Sequence, residues 1–101
     1  MLDPVVQRAM QELTSRIGSG SGLNTPDHEA AAVGILKSLR SAGKSFEPEA
    51  IAAWASLNGW TPKGVARIRT VANDVILGKD FGGNPAAWST DLVEKLRSEL
   101  R

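Results

Sequence analysis

The sequence predicts an all-α protein, a compact bundle of four to five short helices, and three observations carry that expectation. All five prolines stand where a helix can begin, each behind a residue with a side-chain acceptor: Asp3-Pro4, Thr25-Pro26, Glu47-Pro48, Thr61-Pro62 and Asn84-Pro85. Proline suits the first helical position because its missing N–H would be unpaired there anyway. An Asp, Thr or Asn before it can accept a bond from a free amide of the first turn. Glycines at 18, 43, 59 and 78 supply the matching stops, since a left-handed residue is cheapest as glycine. Between these marks apolar residues recur every three or four positions. No stretch alternates apolar and polar with the β-branched richness of a strand.

The first helix is expected from about Pro4 to Ile17, with Val6, Met10, Leu13 and Ile17 stacked on one stripe. Gly18-Ser-Gly-Ser-Gly-Leu-Asn24 reads as a flexible linker by composition, which makes the first helix the element most loosely docked, or the one exchanged with a partner. The second helix opens at Thr25-Pro26 with Asp27 and Glu29 at the positive end of its dipole. It closes near Gly43 among Lys37, Arg40 and Lys44, burying Ala32, Ile35, Leu36 and Leu39. A short third helix from Pro48 turns Ile51, Trp54 and Ala55 inward and stops at Asn58-Gly59. The fourth runs from Thr61-Pro62 to Gly78 with Val65, Ile68, Val71, Ala72 and Val75 on one face. Residues 79–84 read as a loop and Pro85 to Trp88 as a single turn. Ser89 or Thr90 opens a last helix carrying Leu92, Val93, Leu96 and Leu100.

These elements form one domain over residues 1–101: a helix in 1–17, the linker 18–24 and a helical core in 25–101. Pro4, Pro26 and Pro48 are evenly spaced, but the residues aligned behind them do not match, so a repeat is rejected. With 42% hydrophobic and 23% charged residues the chain has the means to build a core, unlike a disordered sequence. It has no cysteine, hence no disulfide, thiolate metal site or thiol nucleophile, and no signal-like or membrane-length apolar run. A cytoplasmic location is expected.

A net charge of +1 does not by itself imply a polyanionic partner. The middle of the chain is mildly positive, with Lys37, Arg40, Lys44, Lys63, Arg67, Arg69 and Lys79 set against Glu47, Glu49, Asp74 and Asp80. Residues 51–70, Ile-Ala-Ala-Trp-Ala-Ser-Leu-Asn-Gly-Trp-Thr-Pro-Lys-Gly-Val-Ala-Arg-Ile-Arg-Thr, resemble a helix-turn-helix unit of the DNA-binding kind. Ala55 is the small residue that permits close helix crossing, Gly59 the left-handed turn, and Val65 and Ile68 the apolar pins of the second helix. Trp60 fills the apolar slot after the glycine, and Thr61 caps the second helix. The resemblance implies Lys63, Gly64 and Arg67 facing the major groove, with Arg69, Lys37, Arg40 or Lys44 on phosphates. Asn58, Pro62 and Gly64 depart from the pattern, the last two where side chains would read bases.

Trp54 is expected in the core. Trp60 and Trp88, each at a helix start beside proline, can staple the helix entry or stand as contact anchors, and Phe81 lies in the loop between the last two elements. No catalytic constellation assembles. His28 is the only histidine and reads as a solvated first-turn residue, while its neighbours Asp27 and Glu29 lack the three- or four-residue spacing of helical metal ligands. Gly43-Lys44-Ser45 is similar to the end of a phosphate loop, but Ser38 replaces the required first glycine and the segment follows a helix. Asp80-Phe-Gly82 matches a kinase magnesium motif by coincidence in a chain this short. The expected function is therefore a non-catalytic, cofactor-free binding or regulatory module working through protein contacts or self-association, centred on Trp60, Phe81 and Trp88. The alternative is a DNA-binding protein using the helix that begins at Pro62.

Overall fold

The structure, a computed structural model, describes residues 2–18, 22–79 and Ser98. Phe81, Trp88, the turn expected at 85–88 and, apart from Ser98, the helix expected after it lie outside the described residues. Four helices are present among those described, and no strand: α1 (Pro4–Ile17), α2 (Pro26–Ser41), α3 (Pro48–Leu57) and α4 (Pro62–Ile76).

Each helix opens on a proline, and three of the four have the side-chain cap that the sequence suggests. Asp3 Oδ1 accepts from the Val5 amide at 2.8 Å, Thr25 Oγ1 from His28 at 3.2 Å, and Thr61 Oγ1 from Gly64 at 3.0 Å. Glu47 makes no such bond. Its carboxylate sits one methylene farther out than that of Asp, a poor fit to the short capping ring. The four glycine stops all adopt positive φ, between 77° and 85°. Gly59 shows why this matters: its φ of +84° lets the Trp60 amide fold back to the Ala55 carbonyl at 3.1 Å, closing α3 and starting the turn into α4.

Every helix contributes to one core. Val6, Ala9, Met10 and Leu13 of α1 are fully buried beside Ile35, Leu36 and Leu39 of α2, Ile51 and Ala55 of α3, and Ile68 and Ala72 of α4. The Cα radius of gyration is 12.0 Å, close to the value of about 13 Å for a compact domain of this length. α3 and α4 pack as a hairpin, and α4 also lies along α2. Glu29 pairs with Arg67 and Arg40 bonds the Val75 carbonyl, so α2 and α4 run in the same general sense.

Leu23 and Trp60 are both buried, the first within the described part of residues 18–24. Of residues 18–24 the structure describes Gly18 and 22–24, and Leu23 enters the core with 5% exposure. To do so it takes a left-handed φ of +53°, a conformation costing a non-glycine residue about 1–2 kcal/mol. Burying a leucine side chain, worth about 1.5–3 kcal/mol, covers that cost. Trp60 is also interior, at 5% exposure. Its indole Nε1 donates to Thr14 Oγ1 at 3.0 Å, and that hydroxyl donates in turn to the Met10 carbonyl at 2.7 Å. The indole is thus the staple joining α1 to the α3–α4 turn.

Candidate functional site

The α3–α4 hairpin carries every functional residue that the sequence singles out and the structure describes, apart from the three basic residues on or just after α2. On its inner side Ala55 and Ile68 are fully buried, Val65 is half-buried against the core, and Gly59 takes the left-handed turn. The outer surface is where the readings diverge.

α4 turns Lys63, Ala66, Arg67, Arg69 and Thr70 outward. Arg67 Nε donates to Glu29 of α2, and this hydrogen bond raises the already high guanidinium pKa. Arg69 Nε lies 3.1 Å from Glu49 Oε1 of α3. The two arginines therefore turn toward opposite flanks of α4, each answered by a carboxylate from another helix. Both pairs are largely exposed and contribute little to stability, but they set where the cations point. Arg40 spends its Nη1 on the Val75 carbonyl at the far end of α4. Lys37 is exposed on α2, and Lys44 is half-buried just after it, where its amide closes α2 on the Leu39 carbonyl at 3.0 Å. Of the six basic residues, Lys63 and Arg67 line one depression together.

That depression lies between α4 and residues 22–24. It holds about 420 Å³ and is lined by Lys63, Arg67 and Thr70 of α4, by Leu23 and Asn24, and by Glu29 of α2, which pairs with Arg67. Its second wall is tightly seated: a Cβ added to Gly22 would come within 2.7 Å of Asn24 Oδ1 and 3.1 Å of Thr61 Oγ1.

The opposite side of the hairpin is apolar. α3 has Ile51, Ala52 and Ala55 on its buried face, yet Ala50, Ala53, Trp54 and Leu57 form a second apolar stripe at positions i, i+3, i+4 and i+7. Ala50 and Trp54 are half-buried, Ala53 is exposed, and Leu57 is 86% exposed. Ala50 and Trp54 also pack against the core, as expected of Trp54, so Ala53 and Leu57 are the fully outward members of this stripe.

His28 sits half-buried in the first turn of α2 beside Arg16, Thr25 and Asp27. Among the described residues no group of three or more His, Cys, Asp or Glu could hold a metal ion, and no helix is long and apolar enough to cross a membrane. The model of the DUF1889 family, a domain of unknown function, matches residues 2–97, and the chain belongs to that family. No curated protein and no solved structure matches it.

Proposed function

We propose that this DUF1889 member is a non-catalytic binding module acting through self-association, with the outward stripe of α3 as its contact face. The observation that carries the reading is Leu57, a large apolar side chain 86% exposed at one end of a four-residue apolar stripe. A second copy suits that stripe. When two α3 helices pack antiparallel about a two-fold axis, Leu57 of one falls opposite Ala50 of the other, and Trp54 opposite Ala53. Large residues then meet small ones in both copies, as an isologous interface requires. Tryptophan near the centre of such a patch and leucine at each end supply burial, and the flanking Glu49 and Ser56, both exposed, form a polar rim.

Sedimentation equilibrium over a wide concentration range tests this. The wild type is expected to gain mass with concentration, and Leu57→Glu to remain a monomer with an unchanged circular-dichroism spectrum. A protein that is monomeric at about 0.5 mM, with Leu57→Glu silent, would remove the reading; an interface this small is expected to be weak but measurable at that concentration.

The helix-turn-helix reading remains a second proposal, supported by Ala55, Gly59, Val65 and Ile68 in their expected roles. It ranks lower because Arg69 faces Glu49 of this same chain, and because residues 22–24 flank the helix face that would enter the groove. A duplex titration decides it. Binding that falls steeply with salt and weakens in Arg67→Ala or Lys63→Ala supports DNA recognition, and the absence of salt-sensitive retention removes it.

A further inference from the structure

The depression between α4 and residues 22–24 is on a different face from the α3 stripe and has its own chemistry. Lys63 and Arg67 are one helical turn apart, about 6 Å along the axis, and present two cations on one ridge. Arg67 is held by its Nε on Glu29, which leaves the two Nη groups of a five-donor guanidinium for another acceptor. Thr70 follows on the same ridge; its hydroxyl proton goes to the Ala66 carbonyl at 3.1 Å, so its oxygen lone pairs are available to accept. Asn24, exposed on the facing wall, offers both an amide donor and an acceptor.

We infer that this groove binds an extended acidic peptide segment, with two carboxylates placed two residues apart on Lys63 and Arg67. In an extended chain alternate side chains share one face and repeat about every 6.6 Å, close to the one-turn rise between the two cations. Backbone amides of the peptide then fall within reach of Thr70 and Asn24. The shape and charge favour a single narrow chain over a nucleic-acid duplex. The wall at 22–24 is fixed by the buried Leu23 and by the close fit of Gly22 against Thr61, so the groove does not open to admit a duplex. Glu29, paired with Arg67 within the same lining, leaves the groove an excess of one cation, which suits a short peptide with spaced charges better than a continuous line of phosphates. Mixed lining of this kind, with an apolar contribution from Leu23 and Ala66, suits a side-chain ligand.

The test is fluorescence anisotropy on the full chain with a labelled ten-residue peptide of alternating Glu and Ser, its Gln-Ser counterpart as control, and a labelled twenty-base-pair duplex as a third probe. The Glu-Ser peptide is expected to bind at least about tenfold more tightly than the control at 50 mM salt, and to lose about tenfold by 300 mM. Lys63→Gln and Arg67→Gln are each expected to weaken it about three- to tenfold, without change in the melting curve of Lys63→Gln. Amide chemical shifts should move in residues 22–24 and 63–70. Equal binding of the control peptide, indifference to both variants, or shifts confined elsewhere would overturn the assignment. Duplex binding tighter than peptide binding, and lost in the same variants, would overturn it in favour of nucleic acid. Leu57→Glu should leave peptide binding intact, so this groove and the α3 interface fail or stand separately.

Discussion

The indole of Trp60 gives the sharpest quantitative test of the packing. Its Nε1 reaches Thr14 Oγ1 at 3.0 Å from a ring only 5% exposed, so water cannot replace that acceptor in the folded state. Thr14→Val keeps the shape and removes the acceptor, leaving a buried N–H unpaired, which costs about 1–3 kcal/mol. Trp60→Phe removes the N–H together with part of the ring volume and costs a comparable amount, about 2 kcal/mol, mainly through lost packing. In the double variant neither group is left without its partner, so the combined loss should fall short of the sum by about 1 kcal/mol. Urea denaturation followed by circular dichroism measures all four corners of the cycle. For a domain of this size each kcal/mol also moves the melting temperature by about 4–8 °C, which gives a second reading of the same quantity. Thr14→Ser, which keeps the hydroxyl, should retain most of the coupling. Additivity within about 0.3 kcal/mol would refute the claim that this bond contributes to the fold.

Three further outcomes follow from the helix ends and the outer surface. Glu47→Ser should raise stability by about 0.5–1 kcal/mol, because it gives α3 the side-chain cap that Glu47 does not make; a thermal melt no higher than wild type would contradict this. Gly59→Ala should cost about 1–2 kcal/mol by equilibrium denaturation. Nothing lies within 4 Å of the added Cβ, so this loss comes from the left-handed φ of +84° alone, and a neutral result would mean that the turn relaxes. Arg67→Ala should cost no more than about 1 kcal/mol, since the Glu29 pair is exposed on both sides, and a larger loss would show that the pair is better shielded than its accessibility indicates.

Helix starts and stops were legible because they depend on local chemistry. Proline at the first turn and glycine in the left-handed region state their backbone angles directly, and α1 to α4 begin and end where those residues place them. The apolar spacing likewise announced Leu13, Leu36 and Ile68 as interior. What the chain did not announce was pairing across distance. Trp60 reads equally as staple or anchor until Thr14, on another helix, is seen to accept its proton. Arg67 and Arg69 read as phosphate contacts until Glu29 and Glu49 are found beside them. Leu23 was hidden by its glycine- and serine-rich neighbours, whose composition speaks for flexibility while one leucine decides where the strand of chain is tied. The second stripe of α3 was hidden for a related reason: periodicity reports that a face is apolar but not whether anything covers it.

The bond from Arg40 to the Val75 carbonyl has a dynamic corollary. That carbonyl also receives the Gly78 amide at 3.1 Å, so both of its lone pairs are engaged at the point where a helix ordinarily frays. Unwinding the last turn of α4 must release the end of α2, and slow amide exchange should therefore extend to residues 75–78 and disappear there first when Arg40 is replaced by methionine. The two helix tails would then open as one cooperative unit instead of melting independently from their tips.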